Sequence, residues 1–144
     1  MSPPCSPSKS SAPAVMLAKA FGASRIFTTV SSEEQQKVSL ALGADQAINY
    51  RQEDFVEVMM QATDGKGVDV IVDIIAGDYV ARNFAAAATY GRIVQIGVHK
   101  GAARELSLFP LLSKRLTLVG STLRSRSHDE KAEIVAELER QVWR

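Results

Sequence analysis

The chain has 144 residues, 46% of them hydrophobic, which is one domain's length with enough apolar content for a core and excludes wholesale disorder. Its 17 Lys+Arg against 16 Asp+Glu leave a net charge of +1, which gives no electrostatic case for nucleic acid or an anionic membrane. No apolar run is long enough to span a bilayer and no signal-peptide core opens the chain, so a cytoplasmic location is expected.

Met1–Pro13 holds four of the five prolines among serines and reads as a disordered lead. Its Cys5 is the single cysteine of the chain and makes no internal disulfide; with two distant histidines it makes no zinc site. From Ala14 the spacing predicts a helix ended by Gly22, then a strand over Arg25–Val30. Ser32 and Gln35 fit a capping box that opens a helix running to Gly43, and Ala47–Tyr50 reads as a short strand. Phe55, Val58, Met59 and Ala62 recur at helical spacing. Phe21-Gly22-Ala23-Ser24 and Leu42-Gly43-Ala44-Asp45 form a half-repeat between helix and strand, the tight loop of a layered α/β fold.

Val68–Gly77 is the stretch around which the other elements are arranged. It is short and β-branched, and reads as a strand covered on both faces. A helix is expected over Asp78–Ala88 with Val80, Phe84 and Ala87 inward, and strands over Gly91–Gly97 and Leu116–Gly120. Between them Leu106–Lys114 reads as a helical piece interrupted by Pro110. Ser127 and Glu130 make a second capping box, and Ile134, Val135, Leu138 and Val142 form the stripe of a last helix with Trp143 on its packing face. His99 and His128 sit in polar surface contexts. The alternation of strand and helix predicts an α/β fold, a three-layer doubly wound parallel sheet of Rossmann type.

Ligands of such sheets lie at the carboxyl ends of the strands. Here those ends carry Ser31, Ser32, Tyr50, Ala76, Gly77, Gly97 and Val98, small or hydroxyl residues suited to a ligand lying across backbone. No nucleophile–base pair, carboxylate dyad or metal cluster stands among them. An acid at the end of the second strand selects the free ribose of NAD. Thr28–Ser32 lacks one, which favours NADPH over NADH.

Leu42–Phe55 and Gly67–Asp73, with Gly91–Gly97 and Lys114–Arg126, resemble the zinc-independent NADPH:quinone oxidoreductases, the zeta-crystallin-like branch of the medium-chain dehydrogenase/reductase superfamily. The resemblance runs from Ala14 to Trp143. It implies NADPH as cofactor and a quinone or related conjugated carbonyl as substrate, and a homodimer through the Leu116–Leu123 edge. Ser32 and Tyr50 would then face the adenosine 2′-phosphate, with Ala76-Gly77 on the adenine side and Gly97-Val98 beside the nicotinamide ribose. The chain departs from the family in three ways. Gln35 stands where a lysine usually meets the 2′-phosphate, the glycine-rich turn and first strand are absent before Ala14, and the catalytic domain is absent too. Residues 14–144 are therefore expected to be a truncated dinucleotide-binding domain, inactive on a quinone alone. A separately encoded catalytic domain is the alternative partner to a second copy.

Other readings stand beside these. Ser32 with Gln35 is equally a helix cap, Tyr50 a strand-end aromatic, and Gly97 a strand exit. The chain as a whole could be a non-catalytic nucleotide-binding or interaction fragment, or an enoyl-reductase relative.

Overall fold

The computed structural model describes residues 12–143, so the expected lead lies, as far as Ser11, outside the described residues. Helix α1 (Ala12–Ala20) begins two residues before the expected Ala14, because a proline in the first helical turn forgoes only an N–H that has no intrahelical partner. Strand β1 (Phe27–Val30), helix α2 (Glu33–Ala41), strand β2 (Gln46–Asn49) and helix α3 (Phe55–Ala62) follow. Then come β3 (Val68–Asp73), α4 (Tyr79–Ala86), β4 (Ala87–Gln95), α5 (Phe109–Ser113), β5 (Thr117–Gly120) and α6 (His128–Gln141). Every strand pairing is parallel, as the alternation requires. The strands form two sheets, β1-β2 and β3-β4-β5, and the chain divides into two compact units. One unit comprises the described residues up to Phe55 together with those from Ala132; the other is Val56–Lys131.

In the first unit the half-repeat becomes two identical caps. Gly22 (φ 78°) and Gly43 (φ 112°) take the left-handed conformation that ends a helix at little cost in glycine. Ala23 N–H donates to Ala18 C=O and Ala44 N–H to Ser39 C=O, both at 3.0 Å, the closing bond of a Schellman motif. Val15, Ile26 and Ala44 pack as this unit's core cluster, with Ala18 and Leu42 against them. Asp45 joins the two strand starts, its carboxylate accepting from Ile26 N–H at 2.7 Å.

In the second unit Phe84, Ala87 and Ile93 are all but fully buried, against Ile71, Val80, Leu106, Leu111 and Leu116. Burying Phe84 or Ile93 contributes about 1.5–3 kcal/mol each. Helix α4 passes into β4 without a loop. The orphan carbonyls at its end are met by Lys114, whose ammonium donates to Phe84, Ala85 and Ala87 C=O at 2.8, 2.9 and 2.9 Å. Burial holds that ammonium below the ordinary lysine range. Strand β4 therefore starts at Ala87 rather than Gly91, and it bulges: Val68 faces Ala87 while Val70 faces Arg92. Tyr90 (φ 62°) lies in the bulge and donates its N–H to Lys114 C=O at 2.7 Å.

Three expectations are corrected. Strand β3 is not covered on both faces: Val70 is 60% and Val72 51% exposed on one face, whereas Ile71 and Asp73 on the other are half-buried and buried. Pro110 does not interrupt a helix but occupies the first turn of α5, where its ring is accommodated. Trp143 lies beyond α6 and is largely exposed, so it is not on a packing face.

The second capping box forms as expected. Ser127 N–H donates to the Glu130 carboxylate at 2.8 Å and Glu130 N–H to Ser127 Oγ at 3.2 Å. The backbone bond from Ser127, then its hydroxyl, hold the Glu130 carboxyl below the usual range. A folded value below the unfolded one means the box's stabilisation is complete above the ordinary carboxylate range and is lost as pH falls through the lowered value. The protection factors of the amides at residues 128–131, that is their exchange relative to the intrinsic rate at each pH, are therefore expected to fall on acidification across that window, and Ser127→Ala to flatten the dependence.

Candidate functional site

The residues singled out at the strand tips fall into two groups, one in each unit. In the first, Ser31, Ser32 and Gln35 form a single knot where β1 hands over to α2. Ser32 Oγ accepts from Gln35 N–H at 3.3 Å, as a capping box requires. The return bond goes one residue further back than expected. Gln35 Oε1 accepts from Ser31 N–H at 2.9 Å and from Ser31 Oγ at 3.0 Å. The glutamine oxygen is thus committed to the cap. Tyr50 donates its backbone N–H to Val30 C=O at 3.1 Å, and its side chain is exposed. Asn49, the last residue of β2, is buried and turns the chain away, its Oδ1 accepting from Arg51 N–H at 3.1 Å.

The second group lies on two loops that run side by side. Residues 74–77 follow β3 and residues 96–101 follow β4. Ile96 N–H donates to Asp73 C=O, His99 N–H to Ile74 C=O, Lys100 N–H to Ile75 C=O and Gly77 N–H to Gly101 C=O, at 2.9, 3.2, 2.7 and 3.0 Å. Ala76 and Gly77 both adopt positive φ, 60° and 58°, the former uncommon for a residue with a side chain. Ala76 is buried, whereas Val98 is exposed. A Cβ at Gly97 would sit 2.8 Å from Ile74 C=O, so only glycine lets the two loops approach this closely. Beside them the Tyr79 ring has the Lys100 ammonium 5.1 Å and the Arg82 guanidinium 5.2 Å from its centroid.

What joins these loops is a set of residues that the tip inventory passed over. The Asp73 carboxylate is buried and accepts from Ile75 N–H (2.7 Å), Ala76 N–H (3.1 Å), Asn83 Nδ2 (3.0 Å) and Gln95 Nε2 (3.1 Å). Gln95 Nε2 also reaches Asp73 C=O at 3.1 Å and Gly97 C=O at 2.7 Å. The signal in the sequence was a carboxylate and an amide, each closing a β-branched run, Val70-Ile71-Val72 before Asp73 and Ile93-Val94 before Gln95. Buried polar groups of this kind need partners. Gly97→Ala is expected to destabilise the chain by about 1–3 kcal/mol through overpacking. Gly120→Ala, with open space around the added atom, should stay within about 0.5 kcal/mol. Urea unfolding of the two variants checks both values.

A family profile described as "Zinc-binding dehydrogenase" matches residues 12–140. The chain is 26% identical over 126 residues to the quinone oxidoreductase of Homo sapiens, covering 88% of this chain and 37% of that protein. It is 36% identical over 84 residues to a phenolphthiocerol/phthiocerol polyketide synthase of Mycobacterium tuberculosis, covering 58% of this chain and 4% of that one. Among solved structures, Escherichia coli quinone oxidoreductase complexed with NADPH matches with a TM-score of 0.75 at 32% identity, over 88% of this chain and 40% of that chain. The chain thus spans well under half the length of these relatives. Among the described residues no group of three or more His, Cys, Asp or Glu side chains could hold a metal ion. No helix among them is long and apolar enough to cross a membrane. With its matched segment running across nearly the whole described chain, the protein belongs to the zinc-binding dehydrogenase family.

Proposed function

We propose that this chain is the NAD(P)H-binding part of an oxidoreductase that passes hydride from NADPH to a quinone or a related conjugated carbonyl. The observation that carries the reading is the construction of the strand tips. The ends of β3 and β4 are a backbone surface in which Gly97 and Gly77 let the two loops lie close together, and the end of β1 carries Ser31 and Ser32 rather than an acid. A parallel α/β sheet binds its ligand at such tips, and an acid-free second strand tolerates a 2′-phosphate. The NADPH in the Escherichia coli relative supports the same reading. In this proposal Ser32 and Tyr50 meet the adenosine 2′-phosphate, Ala76 and Gly77 the adenine side, and Gly97 and Val98 the nicotinamide ribose. NADPH when bound supplies the hydride; the chain's residues orient it. The whole protein is proposed to act in the cytoplasm without zinc.

A second reading, an enoyl reductase, draws support from the similarity to a polyketide synthase. Calorimetric titration of the chain with NADPH and NADH tests the binding. Oxidation of NADPH with a benzoquinone or with an enoyl thioester, measured on the longest available form of the protein, separates the two acceptors. Absence of binding to either nucleotide overturns both readings.

Gln35 has its oxygen in the cap, so Gln35→Lys is expected to have two effects. It should cost about 1 kcal/mol of stability through the lost acceptor. It should also tighten NADPH by at most about 1.5–3 kcal/mol, the range of a charged hydrogen bond, and leave NADH unchanged. Equal changes for both nucleotides would show that Gln35 serves only as a cap.

A second copy of the chain is proposed to pair along the outer edge of β5, where Leu118 and Val119 are nearly half exposed. Leu118→Pro should lower the sedimentation coefficient to that of a single chain while leaving the circular dichroism helical signal in place. Undiminished association would count against that edge.

A further inference from the structure

The side chains of Asp73 and Gln95 stand 22 residues apart in the chain and meet beneath the two loops of the second unit. An aspartate that ends a strand commonly accepts from backbone N–H groups two or three residues on, as Asp73 does from Ile75 and Ala76. That local turn accounts for neither Gln95 nor Asn83. The Gln95 amide nitrogen carries two hydrogens and has three acceptors in reach, the Asp73 carboxylate, Asp73 C=O and Gly97 C=O. Its shortest bond, 2.7 Å, goes to Gly97. The peptide joining Gly97 to Val98 is therefore fixed from two sides. Gln95 holds its carbonyl, and Ile74 C=O leaves no room for a Cβ at Gly97.

We infer that Asp73 and Gln95 are positioning residues. Together they lock the loop after β3 to the loop after β4 and so set where the Gly97–Val98 peptide meets the nicotinamide half of a bound dinucleotide. The inference rests on the nucleotide-binding reading above, and adds the residues that hold the nicotinamide end of the surface in register. Asn83, from α4, supplies the fourth donor to Asp73 and anchors the lock to the helix. Neither Asp73 nor Gln95 needs to touch the ligand for this.

The test uses the full chain and its Gln95→Leu variant, which keeps the side chain's approximate size and removes the amide. Two probes are titrated calorimetrically: NADPH, and adenosine 2′,5′-bisphosphate, which lacks the nicotinamide half. Amide exchange is followed on the ligand-free proteins. Gln95→Leu is expected to weaken NADPH by on the order of tenfold, the fold-change of one positioning hydrogen bond, and to change the bisphosphate by less than about twofold. Exchange should rise at residues 75–77 and 97–101 while the amides of β4 stay protected. Asp73→Asn, which turns one acceptor oxygen into a donor facing N–H groups, should reproduce the same selectivity. Equal weakening of both probes, with exchange rising throughout the unit, would reduce the pair to an ordinary structural role and overturn the inference. So would unchanged exchange over 97–101. If the unmutated chain binds NADPH and Gln95→Leu binds it equally well, this inference alone fails. If the unmutated chain binds neither probe, the nucleotide reading fails and takes this inference with it.

Discussion

Asp73 marks the place where a strand must stop being a strand. A carboxylate has only acceptor sites, and the groups that meet Asp73 are N–H donors: two from the backbone just ahead, one from Asn83 and one from Gln95. Buried, it is costly unless those donors are present together, because an unpaired carboxylate in such a site has lost its water without replacement. The demand is mutual. Ile75 and Ala76 can turn out of the sheet, Ala76 even at positive φ, because the carboxylate collects the N–H groups that leave the ladder. The crossing of β3 into α4, and the seat of the neighbouring loop, both depend on that one group.

The edges of the sheets have another cause. A parallel strand cannot pair with the next one in sequence through a tight turn; it needs a crossover, and each crossover here is a helix or a helical piece. Pairing then depends on which strands meet. Strand β3 meets β4 on one side and, among the described residues, no strand on the other. Val70 and Val72 project from one face of β3 and are exposed, whereas Ile71 and Asp73 on the other are covered, so the difference lies in what packs on each face and not in their own segment. β-branched side chains mark β3 correctly as a strand, whereas their burial is a property of neighbours.

The same division explains what could be read from the chain. The two glycine caps were legible because a helix end needs a residue of positive φ within a few positions, and Gly22 and Gly43 stand there with the same loop around them. Ser127 with Glu130 was legible for the same local reason. Ser32 with Gln35 was legible only in part. Spacing identifies the pair, but the choice of Ser31 as the glutamine's donor depends on how β1 enters the helix. The shift of β4's start to Ala87 was not legible. Lys114, 27 residues further on, supplies the donors that let α4 end without a loop. Trp143 shows the limit of periodicity, since its place after a helical stripe does not put it on the stripe.

At the candidate site, the residues named from the tips are those with little side chain, and this is why their role could be anticipated but their geometry could not. Glycine shows where backbone must come close; it does not show what holds the backbone there. The holding groups are larger and polar, and they are the last residues of β3 and β4, just before the loops they hold. Gly97 removes atoms so that Ile74 can approach, and Gln95 supplies the bond that keeps the same peptide from drifting. A surface built this way presents peptide groups in fixed directions. The tip of β1 presents two hydroxyls, both bonded to Gln35. Selectivity toward an anionic group would then come from the few side chains around the tips, and Gln35, with its oxygen tied to Ser31, is the position where one substitution changes the charge.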